Sequence, residues 1–318
     1  MKDLSVIIVN WNTKNLLREC LESLYKEIHD ISLEIIVVDN FSSDGSVEML
    51  RNYFPGIKIR SNPKNMGFAH ANNQGILISE GKYVLLLNPD TILLNNSLSE
   101  MVKFMNENPE VGIAGCKLIH PDGSLQPSCY GFPTLLRLFS HASSINSIII
   151  NSHLTRKWFK FLTKILPRNF SHFNEHNTIR KVESVSGAFM IIRRDILNKT
   201  KLLDEKMFLY FEEVDLCFRV RNFGYKVVFN PHASVIHLGG QSSKQIQGKS
   251  LEYFYNSVFY FYKKHYSKHR LIFARIIVFI GISIRIVILP IMVMKKDSKL
   301  IALLFSYYRI LKLTLKKL

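Results

Sequence analysis

The segment FLYFEEVDLCFR, residues 208–219, places Glu212, Glu213 and Asp215 within four positions among aromatic and aliphatic neighbours. On a helix, Glu212 and Asp215 share a face at i, i+3, while Glu213 points about 100° away. Carboxylates this close raise one another's pKa unless a cation intervenes, and one poised near neutrality can serve as a general base. The competing expectation is a solvated helix face paired with Arg219 and Arg221. Phe208, Leu209, Tyr210, Phe211, Val214 and Leu216 leave little room for such a face.

A second acid stands alone. In YVLLLNPDTILL, residues 83–94, the apolar run Val84 to Leu87 ends in Asn88, Pro89 and Asp90, and a lone carboxylate behind such a run is costly without a partner. His237 in VIHLGG likewise ends an apolar run. HFNEH, residues 172–176, has the H-x-x-E-H spacing of a zinc peptidase in inverted order. That chemistry needs a long helix, whereas this stretch follows Pro167 and is rich in Asn, Ser and Phe. His265 and His269 have metal spacing but no acidic partner.

The elements that must hold these groups follow from periodicity. LSVIIVNWN, LEIIVVDN, IKIRSN and KYVLLLNPD read as strands. KNLLRECLESLYKEI, SVEMLRNYF and GFAHANNQGILIS read as the helices between them. Aliphatic strands alternating with helices predict an α/β fold whose parallel sheet is covered on both faces. Ligands of such sheets bind beyond the carboxyl ends of the strands, where Asn10, Trp11 and Asn12, then Asp39 and Asn40, then Asn88 and Asp90 collect. Past residue 115, residues 135–180 are weakly periodic. ESVSGAFMIIRRDIL then reads as strand and helix, MFLYFEEVDLCFRVRNFG as a helix, and YKVVFNPHASVIHLGG as strand, turn, strand.

Charge separates the two ends of the chain. Of a formal net charge of +17 over 318 residues, +13 falls in residues 241–318, where fifteen Lys or Arg oppose Glu252 and Asp297. LIFARIIVFIGISIRIVILPIMVMKK sets aliphatic runs between single cations, which suits an anionic bilayer surface and excludes a polar nucleic-acid arm. Arg275 and Arg285 keep any charge-free run below the ~20 residues of a spanning helix. The expectation is an in-plane amphipathic anchor on the cytoplasmic face, peripheral or monotopic, of two helices broken near Pro290 and residues 295–299. A helical appendage buried in a homodimer interface is the competing expectation. Cys20, Cys116, Cys129 and Cys217 form no CxxC pair and no signal peptide precedes the first strand, so reduced thiols are expected.

Seven motifs in unbroken order over about residues 4–245 carry a resemblance: VIIVNWN, VVDNFSSDGS, NMGFAHANNQG, LLLNPDT, SGAFMIIRR, FLYFEEVDLCFRV and VIHLGGQSS. Together they resemble bacterial inverting glycosyltransferases of family 2, especially the rhamnosyltransferase-like branch that builds polysaccharide on a lipid carrier. The resemblance implies a nucleotide-sugar-binding GT-A fold over residues 1–250, with a nucleotide-sugar half (1–115) and an acceptor-binding and catalytic half (116–250), followed by the tail at 251–318.

The resemblance also assigns residues. Asn88-Pro89-Asp90 stands where the family places an Asp-x-Asp-like motif, so Asp90 matches the acid that holds a divalent cation, Mn²⁺ or Mg²⁺, and Asn88 departs from the pattern. His237 matches a downstream metal or diphosphate contact. Asp39 would accept the pyrimidine N3–H, with Val9 and Trp11 flanking the base beside Asn10 and Asn12. Asn65, Gly67, Asn72 and Gly75 would pass the ribose and phosphates. Glu213 matches the acid that deprotonates the acceptor, with Glu212 and Asp215 as alternatives. The implied reaction moves a sugar, L-rhamnose by this resemblance, from a dTDP- or UDP-sugar to a lipid-linked saccharide in cell-envelope polysaccharide synthesis. The alternative is a catalytically degenerate, membrane-bound subunit that binds nucleotide-sugar.

Overall fold

The computed structural model describes residues 2–27, 31–94, 96–143, 177–241, 245–246, 249–292 and 298–315. The HFNEH segment lies outside them. The chain forms two compact units, Met1–Phe132 with Glu175–Gln245, and Pro133–Asn174 with Ile246–Leu318.

The first unit is built on a mixed sheet. β1 (Leu4–Asn10), β2 (Leu33–Asp39), β3 (Lys58–Ser61) and β4 (Tyr83–Leu87) run parallel in the order β3-β2-β1-β4. The helices that return the chain are α1 (Lys14–Lys26), α2 (Ser46–Tyr53) and α3 (Phe68–Leu77). β1 is buried along its whole length, as expected of a strand covered on both faces. Leu4, Val6 and Ile8 enter one core layer, while Val9 joins Ile36, Val38 and Ala71 in the other.

Beyond β4 the direction reverses. After β5 (Thr91–Leu94) and α4 (Ser97–Glu107), β6 (Val111–Ile119) leads to the short β7 (Leu125–Gln126) and β8 (Cys129–Tyr130). The chain returns through β9 (Arg180–Lys181), β10 (Ser184–Val185) and β11 (Phe189–Arg193). β11 inserts antiparallel between β4 and β6, and β12 (Lys226–His237) lies parallel to β6 with β5 antiparallel at its far edge. Where strand, turn, strand was expected, β12 is one strand whose register with β6 shifts between Asn230 and Ser234, at Pro231, which lacks a ladder donor. α6 (Arg194–Thr200) follows β11, and α7 (Glu212–Asn222) carries the acidic cluster.

The second unit packs α5 (Leu135–Ser143), α8 (Lys249–His265), α9 (Lys268–Met292) and α10 (Ser298–Thr314). A Cβ on Gly281 of α9 would stand 2.6 Å from the Ala142 Cβ of α5, so the two helices meet at their backbones. The resemblance implied a division at residue 250; in the compact units α5 goes with the C-terminal helices. α9 continues through Pro290 to Met292, and the next helix starts at Ser298. Among the described residues, no helix is long and apolar enough to cross a membrane.

Candidate active site

Register collects the site. β1 and β2 pair Asn10 with Asp39, β2 and β3 pair Asp39 with Ser61, and β1 and β4 pair Ile8 with Leu87. The polar residues that follow each strand therefore emerge along one edge.

At the first strand end, Asn10 is wholly engaged. Its amide nitrogen donates to Asp39 Oδ1 (3.0 Å) and Ser42 Oγ (3.0 Å), and its oxygen accepts from Thr13 Oγ1 (2.7 Å). The Ser42 N–H donates to Asp39 Oδ2 (2.9 Å), so the Asp39 carboxylate is held from both sides. Asn12 adopts φ 52°, accepts from the Ser43 N–H and donates its own N–H to Ser42 Oγ. Trp11 is half-buried between them. Val9, expected to flank a base, packs in the layer under α3 with Ile36, Val38 and Ala71. Phe41 is 58% exposed at φ 75° beside Asp39.

Asn40 pins the loop before α3. It accepts from Asn62 Nδ2 and the Met66 N–H, and donates to Asn65 Oδ1 and the Gly67 carbonyl. Asn65 Oδ1 also accepts the Gly67 N–H. Gly67 has φ 87°, and a Cβ there would lie 2.7 Å from both Phe208 Cδ2 and the Phe208 carbonyl oxygen. Asn72 is buried and donates back to the Phe68 carbonyl. Gly75, expected near the phosphates, lets α3 approach β1: its Cβ would fall 2.5 Å from Ile7 Cγ2.

Beyond β4, Asp90 is 5% exposed. Its Oδ1 lies 3.4 Å from His237 Nε2, its Oδ2 accepts the Gln241 N–H at 3.5 Å, and its carbonyl accepts the Leu238 N–H. Asn88 Nδ2 also stands 3.4 Å from His237 Nε2. The other imidazole nitrogen, Nδ1, is 2.8 Å from Gln126 Oε1. Among the described residues, no three His, Cys, Asp or Glu side chains converge as a metal cluster. The NPD turn is fixed from behind: the Asn88 carbonyl accepts from Thr91 Oγ1 and faces Cys20 Sγ. Burial pushes the Cys20 thiol up to about 12; Cys116, Cys129 and Cys217 are likewise free and buried, which makes all four inert as thiolates.

The acidic cluster divides. Asp215, fully buried, pairs with Arg219 at 2.8 Å. That guanidinium also donates to the carbonyls of Thr200, Lys201 and Leu202, capping the end of α6. Tyr210 and Phe211 precede α7 at φ 68° and 71°, a costly conformation for aromatic residues that tends to mark functional segments. Burial raises the Glu212 carboxyl well above its ordinary range, with the neighbouring Glu213 charge adding to the shift. Burial raises Glu213 too, against the backbone N–H groups of Glu213 and Val214, which hold its carboxylate. Both carboxyls are therefore pushed upward, Glu212, the more deeply buried residue, the more strongly.

Glu213 packs against the segment just before β11, and that segment borders Asn88. A Cβ on Gly187 would stand 3.8 Å from Glu213 Cβ, and the next residue, Ala188, accepts the Asn88 N–H at 3.0 Å. Desolvation of its hydroxyl and the nearby Glu213 charge push the Tyr130 phenol up to about 12, although the residue as a whole is 42% exposed. Gln126, Tyr130 and Ser42 were not singled out by sequence reasoning. Ser42 sits inside the quoted VVDNFSSDGS motif, whereas Gln126 and Tyr130 lie in an aperiodic stretch with no signal to mark them.

A family model described as "Glycosyl transferase family 2" matches residues 5–200. The chain is 24% identical over 251 residues to an N-acetylglucosaminyl-diphospho-decaprenol L-rhamnosyltransferase of Mycobacterium tuberculosis, covering 74% of this chain and 76% of that one. It is 22% identical over 263 residues to the rhamnosyltransferase WbbL of Escherichia coli K12, covering 80% and 90%. Among solved structures, GalNAc-T7 with UDP, GalNAc and Mn²⁺ superposes with TM-score 0.55 at 16% identity, over 81% of this chain and 48% of that one. A mannosyltransferase of Pyrobaculum calidifontis in complex with GDP-Man and Mn²⁺ gives 0.54 at 14%, over 99% and 86%. These likenesses establish the GT-A fold.

Proposed function

The chain belongs to glycosyl transferase family 2, and from that premise we propose that it is an inverting transferase that moves a sugar from a dTDP- or UDP-sugar to a lipid-linked saccharide in cell-envelope polysaccharide synthesis. L-rhamnose is the sugar favoured, since both curated relatives above are named as rhamnosyltransferases. The observation that supports the reading is that Glu213, half-buried, packs against Gly187, whose neighbour Ala188 accepts the Asn88 N–H two residues before Asp90.

In this mechanism Asp39, oriented by Asn10 and Ser42, accepts the base N3–H. The loop ordered by Asn40, Asn65 and Gly67 leads the ribose and phosphates past the start of α3, whose N-terminus favours negative charge. Glu213 takes the proton of the acceptor hydroxyl, its oxygen bonds to the sugar C1 from one side, and the bond from C1 to the diphosphate oxygen breaks on the other, inverting the centre. Glu212, protonated, keeps a second negative charge away from the base. Asp215 positions α7 through Arg219.

The donor set fits a divalent cation. With the His237 proton on Nδ1 against Gln126, two acceptors, Asp90 Oδ1 and His237 Nε2, stand 3.4 Å apart beside the Asn88 Nδ2 donor, a spacing a cation can bridge. Asp90 and His237 would hold Mn²⁺ or Mg²⁺, with phosphate oxygens of the donor as further ligands. When bound, the ion supplies charge that steadies the departing diphosphate.

The C-terminal helices suit an anionic membrane on the cytoplasmic side. Arg285 of α9 turns inward to the His141 carbonyl and over the Tyr307 ring, and Arg275 lies over Phe259. The opposite face exposes Phe273, Ile276, Phe279, Ile280 and Val287. The +13 of residues 241–318 supplies the attraction to acidic headgroups.

A donor screen against UDP- and dTDP-sugars, with membrane lipid as acceptor and released nucleotide as the signal, tests the proposal. Turnover of one donor class that stops with EDTA and returns with Mn²⁺ is expected. Nucleotide binding without turnover of any donor would overturn it.

A further inference from the structure

We propose that Gln126 is a positioning residue: it fixes His237 in the tautomer that leaves Nε2 bare, and so sets the affinity of the Asp90 and His237 pair for a divalent cation. The inference rests on the transferase reading above. An amide oxygen can only accept, so the 2.8 Å contact from Gln126 Oε1 places the imidazole proton on Nδ1. The Nε2 lone pair then points toward Asp90 Oδ1. Without Gln126, the proton is kept on Nδ1 only by Asn88 Nδ2, which can only donate and stands a longer 3.4 Å from Nε2. The competing tautomer carries the proton on Nε2 and donates to Asp90, a self-satisfied pair that competes with a cation.

The fold builds this contact from one strand. β6 pairs Leu118 with Gln126 on β7 and with Val235 on β12, so Gln126 lies across β6 from Val235, two residues before His237. The reversal between β6 and β7 is closed by His120 N–H to the Ser124 carbonyl, by Gly123 at φ 81°, and by Asp122 accepting from Ser124. Gly239, at φ 72°, leaves room for the amide: a Cβ there would stand 3.2 Å from Gln126 Nε2. Partners of a ligating histidine's second nitrogen typically change metal affinity by about 10- to 100-fold when removed.

The test uses the full chain with Mn²⁺ alone and with UDP, free ion being read by electron paramagnetic resonance, and ¹⁵N spectra of histidine-labelled protein reporting the His237 tautomer. Gln126→Leu is expected to weaken Mn²⁺ binding about 10-fold or more and to move the proton to Nε2. Gln126→Glu, whose carboxylate accepts the same Nδ1 proton, is expected to restore both. Equal Mn²⁺ affinity in Gln126→Leu, an unchanged tautomer, or equal loss in Gln126→Leu and Gln126→Glu would overturn the proposal and leave the transferase reading intact. Wild-type protein that binds neither Mn²⁺ nor UDP would overturn both.

Discussion

At the scale of single residues, function turns on how one buried edge distributes protons. Glu212 and Glu213 share a dry environment, and the first turn of α7 supplies N–H groups to Glu213. Because burial raises the Glu212 carboxyl in the folded chain, the native state binds that proton more tightly than the unfolded chain does. Stability contributed by the protonated form is therefore full at acid pH and is lost as pH rises from the ordinary glutamate range through the raised value. Glu212→Gln removes that loss. Its melting temperature should exceed wild type at about pH 8, with the gap closing toward about pH 5; a constant gap across that range would contradict the assignment. Helical spacing placed Glu212 and Asp215 on one face and offered Arg219 as a partner, yet it could not show that Arg219 holds Asp215 in the interior while capping the end of α6, because those carbonyls come from another element. Gln126 was equally illegible, since its role depends on a turn that sets it opposite His237.

Elements decide which strand ends meet. The four parallel strands and their helices were readable from aliphatic runs, and with them the edge that carries Asn10, Asp39 and Asp90. The antiparallel insertion of β11 between β4 and β6 was not, because a single strand pattern carries no information on direction or neighbour. That insertion brings Ala188 beside Asn88, and Gly187 beside Glu213. The loop before α3 has its own constraint. At Gly67 a side chain would meet both a left-handed backbone and the Phe208 carbonyl, neither of which yields cheaply. Gly67→Ala should destabilise the protein by about 1–3 kcal/mol in urea unfolding and displace the loop that Asn40 orders; wild-type stability would show that the contact with Phe208 is loose.

For the whole molecule, composition located a basic, apolar C-terminal region, and the expected helices are there. What composition could not give is the facing of α9. Arg275 and Arg285, which looked like interruptions of an apolar surface, turn toward Phe259, Tyr307 and the end of α5, and leave a continuous apolar face outside. Truncation at residue 250 would strip α5 of its seat on Gly281, so substitution is the cleaner probe. Replacing Phe273, Ile276 and Ile280 together by Ser should lower partition onto anionic vesicles by roughly 10-fold or more with helix content unchanged by circular dichroism. Undiminished partition would remove the membrane from the account.

The central claim is that Glu213 takes the acceptor proton in the same cleft where Asp90 and His237 face the donor diphosphate. Single-turnover transfer by Glu213→Gln, with donor affinity measured separately by calorimetry, tests it most directly. Transfer should fall by at least about 100-fold while the donor Kd stays within about twofold of wild type. Near-normal transfer, or a loss of donor affinity as large as that of Asp90→Ala, would contradict the claim.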